Sequence, residues 1–200
     1  MDRFQDLDAV RHHVWDRLAA AAEEPGAAWR TPTFGTVKEG GPDLRTVVLR
    51  EAVPEERRLA FHTARQSEKV AAIREHSRIA WHAWDPETVE QVRLYGSASV
   101  HVDDAVADAM WASQDPASLA VHARKTEPGT PLDAPEDGLV DAVQSEPITR
   151  ADVDAGRAHF AVVRTVIDAM DWLHLHPEGH YRAQFRYDAE GEVEEQWVAP

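Results

Sequence analysis

Short strand-like segments separated by turn signals run through most of the chain, and this pattern constrains the fold most. Residues 31–64 read as three strands joined by a Gly-Gly-Pro turn and a charged turn. Residues 77–85 and 89–102 read as two further strands, and three segments end the chain, at 157–175, 180–188 and 194–200. A meander of about six or seven strands favours a closed or partly closed antiparallel barrel, since closure hides the strand edges.

Helical patterns interrupt the strands at three places. Residues 7–24 place apolar side chains at helical intervals before Pro25-Gly26, which predicts an N-terminal helix within residues 1–25. Residues 67–76 predict a helix with Ser67 as its N-cap, and residues 103–114 predict another. Residues 126–148 are rich in proline and acidic residues and predict an irregular loop. The length of 200 residues suits a single domain over residues 1–200.

Charge and cysteine content exclude several kinds of function. The net charge of −15 argues against a nucleic-acid partner and against an anionic membrane surface. The chain has no cysteine, so thiolate catalysis, disulfides and cysteine-ligated metal sites are excluded. We find no apolar run of membrane-spanning length and no signal-peptide core, and we therefore expect a cytoplasmic protein.

Several cations lie in or beside apolar strands of this acidic chain. One guanidinium group can donate two parallel hydrogen bonds to phosphate oxygens. The N-terminal end of a helix, such as the one predicted at Ser67–Lys69, also favours an anion. The alternative is that these side chains lie at a solvated edge and form surface salt bridges. A similar choice applies to Trp172, which is either a core residue or one wall of a site for a planar ligand. The cations concerned are Arg45, Arg50, Lys69, Arg93 and Arg182.

An ordered set of short motifs resembles the pyridoxamine 5′-phosphate oxidase family, and specifically its oxidase-related FMN-binding split-barrel proteins. The resemblance covers roughly residues 29–200. The motifs are Arg45-Thr46-Val47-Val48-Leu49, Phe61-His62-Thr63, Ser67-Glu68-Lys69, Gln91-Val92, Trp172, Arg182 and the ending Trp197-Val198-Ala199-Pro200.

The resemblance implies a six-stranded antiparallel split barrel with flanking helices, and a homodimer with FMN between the subunits. It implies that Arg45 and Lys69 bind the FMN phosphate. It also implies that the strand beginning at Arg45 forms a wall of the flavin site. It implies that Gln91 hydrogen-bonds the flavin from one subunit and that Trp172 and Arg182 come from the other. The implied cofactor residues are Arg45, Thr46, Val47, Val48, His62, Thr63, Ser67, Lys69, Gln91, Trp172 and Arg182.

The sequence departs from the family pattern at both ends of the implied site. Glu68 replaces a phosphate-binding arginine, for which Arg65 is a candidate substitute, and Glu127 lies where the family has a serine. On the substrate side Arg50, Ser118 and His180 keep the family's chemistry, whereas three positions change. These are Met110, Gln114 and Glu178. The loss of positive charge argues against a substrate phosphate.

The sequence therefore predicts an FMN-dependent oxidoreductase with an altered substrate site, in which the flavin supplies the redox chemistry. No catalytic side chain is identified. One alternative is a flavin-binding protein without turnover. Another is a barrel that binds haem or another planar cofactor, for which His174, His176 and His180 are the available ligands. We expect no separate metal site, because His174 and His176 lack a matching third ligand.

Overall fold

A computed structural model describes residues 4–144 and 146–200. This part of the chain contains five α-helices and nine β-strands. The helices are α1 (Leu7–Glu23), α2 (Glu68–Glu75), α3 (Ala105–Ser113), α4 (Pro116–Leu119) and α5 (Arg150–Val153). The strands are β1 (Thr33–Lys38), β2 (Gly41–Thr46), β3 (Glu51–Val53), β4 (Arg58–Ala64), β5 (Arg78–Asp85), β6 (Glu90–His101), β7 (Phe160–His174), β8 (Tyr181–Tyr187) and β9 (Val193–Val198).

All strand pairs are antiparallel, and β7 organises the sheet. The strand order is β2-β1-β5-β6-β7-β4-β3. β7 is 15 residues long, and one of its edges pairs with β6. Its other edge is shared, because residues 160–166 pair with β4 and residues 169–174 pair with β8. β9 then pairs with β8.

Aromatic packing shows that the sheet is rolled. Phe34 of β1 and Phe61 of β4 are separated by three strands in the pairing order, yet their ring centroids are 4.9 Å apart. Trp81 of β5 completes the cluster at 5.0 and 5.5 Å. The hydrogen-bonded ladder does not close through β1 and β4 in the described residues. The mainly β class is therefore confirmed, in a sheet that curls around one core without closing.

The strand expected to begin at Arg45 instead ends there. β2 stops at Thr46, and residues 47–50 form no regular ladder. The N–H of Val47 donates to Pro32 O at 3.0 Å, whereas the N–H of Arg50 donates to Ala60 O at 2.9 Å. This segment therefore crosses from the β1 side of the rolled sheet to the β4 side, and its hydrogen bonds change partner along the way.

The expected helices are confirmed. α1 ends one residue before its predicted limit, and Ser67 is the residue at the N-cap of α2, although its side chain makes no cap hydrogen bond. Asp104 caps α3 by accepting from the Ala107 N–H at 2.9 Å. In the described residues of 126–148 the only helical segment is a short 3-10 turn, Asp141–Val143, and Leu139 forms an isolated β-bridge with Arg124. Within the described chain, no helix combines the length and apolar character that a membrane span requires.

Buried charge attaches α1 to the sheet. Glu90, at the start of β6, is fully buried. It accepts from His13 at 2.9 Å, from the Trp172 indole at 3.0 Å and from Arg17. Arg17 also contacts Asp85 at the end of β5. One face of α1 is thus held over the β5–β6 turn by groups that satisfy one another's hydrogen bonds.

Gly96 lies at a register shift where β6 crosses β7 closely. A Cβ at this position would lie 2.1 Å from the backbone oxygen of Val166. We expect Gly96→Ala to lower the free energy of unfolding by about 2–3 kcal/mol, because rigid backbone has to move. Urea unfolding followed by tryptophan fluorescence measures this change.

Gly35→Ala is the matched control, since Gly35 also lies within a strand. The tightest contact of a Cβ there would be the exposed Leu44 side chain, at 3.0 Å, and Ala80 would lie at ordinary van der Waals distances of 3.6 and 3.8 Å. We expect a loss below about 1 kcal/mol, because that side chain can rotate away. Equal losses in the two variants would show that the approach to Val166 does not require glycine.

Candidate functional site

A cleft of about 530 Å³ brings together most of the residues that the sequence assigned to a cofactor. Its walls come from the end of β2, the crossing segment 47–50, β4, the start of α2 and residues 117–128. The predicted residues in it are Arg45, Thr46, Val47, Val48, His62, Thr63, Ser67 and Lys69, with Arg50 and Ser118 from the substrate side. Ten predicted residues from four chain segments therefore share one cleft.

Arg45 and Lys69 form the cationic end of this cleft. The Arg45 guanidinium donates to Thr36 Oγ1 at 2.9 Å and also contacts Asp43. The Lys69 ammonium donates to Thr63 Oγ1 at 3.1 Å. These bonds fix both cations beside the N-terminal end of α2, where the helix dipole also favours an anion.

The electrostatics of the cleft differ from those of the whole chain. Arg50 and Arg124 add two more cations to its lining, and no acidic residue is among its described lining residues. Burial, and then the charge of Arg45, lower the pKa of Lys69. Burial and the neighbouring Arg30 likewise lower the pKa of Arg50. An anion in the cleft would relieve this repulsion.

The opposite end of the cleft lies below α4. The Arg50 guanidinium donates to Ser118 Oγ at 3.4 Å. The Nε atoms of Arg50 and Arg124 are buried and find no hydrogen-bond partner among the described residues. Buried donors without partners are rare in folded proteins. This end of the cleft therefore has unused donors for a ligand.

Sequence reasoning missed Arg124 and His122. His122 Nε2 lies 3.0 Å from His62 Nδ1, although the two residues are 60 positions apart. Gly156 allows the neighbouring turn to pack on this segment, because a Cβ there would lie 2.8 Å from the His122 carbonyl carbon. No local motif marks His122 or Arg124, and only the fold brings them to β4.

Arg182, which the resemblance assigns to a second subunit, and the substrate-side candidate His180 lie elsewhere and share another cleft. His180 and Arg182 line it together with Trp197, which is 41% exposed. The Arg182 guanidinium is already paired with Asp171, at 2.6 Å. Asp171 also accepts from Arg93 at 2.8 Å. The two sets of predicted residues thus form separate surfaces of one chain.

Trp172 does not present a surface to a ligand. Its side chain is fully buried, its indole N–H donates to Glu90, and Phe4 packs on it at 5.7 Å. Within its own chain Trp172 is therefore a core residue, and its contact with a flavin stays a prediction. Gln91 also lies outside the cationic cleft, and its amide oxygen is 3.1 Å from His82 Nε2 on the adjacent strand.

The departures from the family pattern have different structural outcomes. Glu68 is not a lining residue of the cleft, and it pairs with Lys38 at 3.0 Å. Arg65, the candidate substitute, pairs with Asp103 at 3.1 Å and is not a lining residue of the cleft. Arg124, close to the altered 125–127 segment, is the cation that the fold places in the cleft.

Two of the three changed substrate positions line a neighbouring cleft of about 790 Å³, whereas Glu178 is not among its lining residues. Met110 and Gln114 line it together with Arg50, which also belongs to the cationic cleft. The Gln114 amide is 3.5 Å from Met110 Sδ. Arg50 therefore lies between two clefts, one cationic and one of mixed character.

Comparison with known families supports the resemblance seen in the sequence. Residues 12–102 match the sequence model of the pyridoxamine 5′-phosphate oxidase FMN-binding domain. The predicted resemblance to pyridoxamine 5′-phosphate oxidase-related FMN-binding proteins is confirmed. The matched domain is FMN-binding, in agreement with the cofactor predicted from the sequence. A comparison with curated protein sequences gave no match.

Several solved structures share the fold. An oxidase-related FMN-binding protein from Nostoc punctiforme has a TM-score of 0.75 at 22% identity, and the alignment covers 100% of both chains. PhzG from Burkholderia lata, in complex with tetrahydrophenazine-1-carboxylic acid, has a TM-score of 0.68 at 15% identity over 100% of this chain and 98% of PhzG. A Clostridium acetobutylicum protein related to general stress protein 26 has a TM-score of 0.55 at 10% identity, covering 85% of this chain and 93% of that one.

Proposed function

We propose that this chain is an FMN-dependent oxidoreductase whose cofactor lies in the cationic cleft. The observation that carries the proposal is that the described lining of this cleft has four cations and no acid, in a chain of net charge −15. A cleft of this charge suits a phosphate ester, because guanidinium and ammonium groups bind phosphate oxygens strongly.

The residues of the cleft fit the parts of FMN. Arg45 and Lys69 hold the phosphate, supported by the start of α2. The backbone of residues 46–48 lies beside the ring system, and Val48, which is 37% exposed, offers it an apolar contact. Bound flavin supplies the transfer of a hydride or of electrons, and the chain positions it and limits its access to water.

The substrate approaches from the Arg50 side. Arg50 and Ser118 lie in the same cleft and are joined by a hydrogen bond, with Arg124 nearby. Their unused donors favour a substrate that carries a carboxylate or another anionic group. Tetrahydrophenazine-1-carboxylic acid, the molecule bound to PhzG, is a first candidate of this class.

A homodimer completes the site in this proposal. His180 and Arg182 lie outside the cationic cleft of their own chain, so their contribution requires a second copy. Val48 and Val121 are exposed apolar residues on the rim of the cationic cleft, and they are available for such a contact. Sedimentation analysis of the protein with and without FMN tests this assembly.

Titration with FMN and with riboflavin tests the cofactor assignment. We expect saturable binding of one FMN per chain, and riboflavin to bind at least about tenfold more weakly because it lacks the phosphate. Fluorescence quenching measures both affinities. Equal affinities would contradict the phosphate role of Arg45 and Lys69. Binding of FMN without its reduction by any donor would instead indicate a flavin-binding protein without turnover.

A further inference from the structure

Two histidines in the cationic cleft form a pair, of which the resemblance assigned only His62 to the cofactor and gave neither ring a chemical role. His62 lies on β4 and His122 ends a short turn after α4, and both line the cleft. The two rings are joined through His62 Nδ1 and His122 Nε2 at 3.0 Å. Their outer nitrogens, His62 Nε2 and His122 Nδ1, are buried and meet no hydrogen-bond partner among the described residues.

Aromatic packing holds both rings in place. Phe160 lies 5.4 Å from the His62 ring and 5.0 Å from the His122 ring. Trp111 packs on Phe160 at 5.0 Å. His122 is only 2% exposed. The pair is thus a rigid unit whose outer nitrogens have fixed positions.

Both rings are neutral at physiological pH. Burial, followed by the charges of His122 and Arg50, lowers the pKa of His62 to about 2. Burial, followed by Arg124, Arg50 and His159, lowers the pKa of His122 to about 4. Cations face the pair from several sides, and the lining of the cleft contains no acid to stabilise a charged ring.

Neutrality fixes what the pair offers to a ligand. A neutral imidazole carries one N–H, so the shared hydrogen bond uses the N–H of one ring and the lone pair of the other. If His62 donates, its outer nitrogen is an acceptor and that of His122 is a donor. If His122 donates, these roles are reversed. In either state the pair presents one donor and one acceptor.

We propose that the His62–His122 pair is a hydrogen-bonding unit for the ring system of FMN, in which an outer nitrogen binds a polar edge atom of the flavin. In this arrangement His122 is a positioning residue, because its contact with Nδ1 decides which nitrogen of His62 carries the proton. The inference rests on the proposed function, since it assumes that FMN occupies this cleft. The flavin edge carries both N–H and carbonyl groups, so it matches either tautomer of the pair.

Imidazole nitrogen NMR tests the contact directly. The full chain is labelled with nitrogen-15 histidine, and the signals are assigned with His62→Gln and His122→Gln. We expect saturation with FMN to move at least one outer-nitrogen signal of the pair. Inorganic phosphate, which fills only the cationic end, is expected to leave both outer nitrogens unchanged.

Two substitutions of His122 test its positioning role. His122→Phe keeps a ring against Phe160 but removes the partner of His62, and we expect FMN affinity to fall about tenfold. His122→Gln keeps an amide that can hold His62 Nδ1, and we expect an affinity within about threefold of the wild type. His12→Phe, on the exposed face of α1, is the control. Thermal unfolding of each variant separates loss of the contact from loss of the fold.

The outcomes separate the two proposals. Fluorescence quenching that saturates with FMN while both outer nitrogens keep their signals overturns the pairing with flavin and leaves the proposed function intact. Equal FMN affinity in folded wild type and His122→Phe overturns the positioning role. Failure of FMN to bind the wild-type protein at all overturns both proposals.

Discussion

Arg45→Ala is expected to weaken FMN binding by about 1.5–3 kcal/mol, which corresponds to a roughly 10- to 150-fold higher Kd. The substitution removes the guanidinium at the phosphate end of the cleft, where Lys69 alone would remain. Titration with FMN, followed by flavin fluorescence, measures the change. Arg78→Ala is the matched control, because Arg78 lies on β5 outside the cationic cleft and is 57% exposed.

The local structure around Arg45 requires a second variant. Arg45 also donates to Phe34 O at 3.2 Å, so its removal affects the β1–β2 pair as well as the cleft. Asp43→Asn leaves Arg45 in place and removes the carboxylate that competes for it. We expect this change to strengthen FMN binding, because more of the guanidinium is then available to phosphate. Unchanged Kd values in both folded variants would refute the phosphate role of Arg45.

Glu90→Gln is expected to lower the free energy of unfolding by about 2–3 kcal/mol. Glu90 is fully buried, and the substitution leaves His13 without its charged partner and Arg17 with Asp85 as its remaining one. This loss in the free energy of unfolding is smaller than that expected for a fully buried ion pair, because the Arg17 side chain is 23% exposed. Urea unfolding measures the difference, with Glu75→Gln on the exposed face of α2 as the control.

The same substitution is expected to change the response to acid. Burial by itself raises the pKa of Glu90, but hydrogen bonding to His13 and the charges of His13 and Arg17 outweigh it, and the pKa falls below its ordinary value. This contribution to stability is complete at neutral pH and disappears as the pH falls below about 4.5 towards the folded-state pKa. Glu90→Gln should therefore lose less stability than the wild type over this acidic range. Parallel acid-unfolding curves would contradict the role of Glu90.

Local patterns were sufficient to predict the helices α1 and α2. They also marked the single cations that form the cationic end of the site. α1 and α2 follow from helical spacing and turn residues, and Arg45 and Lys69 were recognised as cations beside apolar strands. Their grouping followed from the resemblance of ordered motifs. The end of β2 at Thr46 was not predictable, because residues 47–50 have the β-branched composition of a strand and leave the ladder only to cross the rolled sheet.

The other end of the site depends on contacts that no local pattern encodes. His122 reaches His62 across 60 residues, through a segment whose sequence carries no motif. For Trp172 the ordered set of motifs predicts a ligand contact, and this contact stays a prediction. The fold buries the side chain against Glu90 and Phe4, which no local pattern indicated.

The described lining of the cationic cleft has no acidic residue, although the chain as a whole is strongly acidic. This contrast also affects the rate at which an anionic ligand arrives. A phosphate ester that approaches from a distance meets the repulsion of a net charge of −15 before it meets the cations of the cleft. Salt screens distant charges more than partly buried contacts, over a length of about 10 Å at 0.1 M. Added salt should therefore speed association while it weakens the ion contacts of the bound state. The long-range field of this protein opposes electrostatic steering, and the cleft selects anions only at close range.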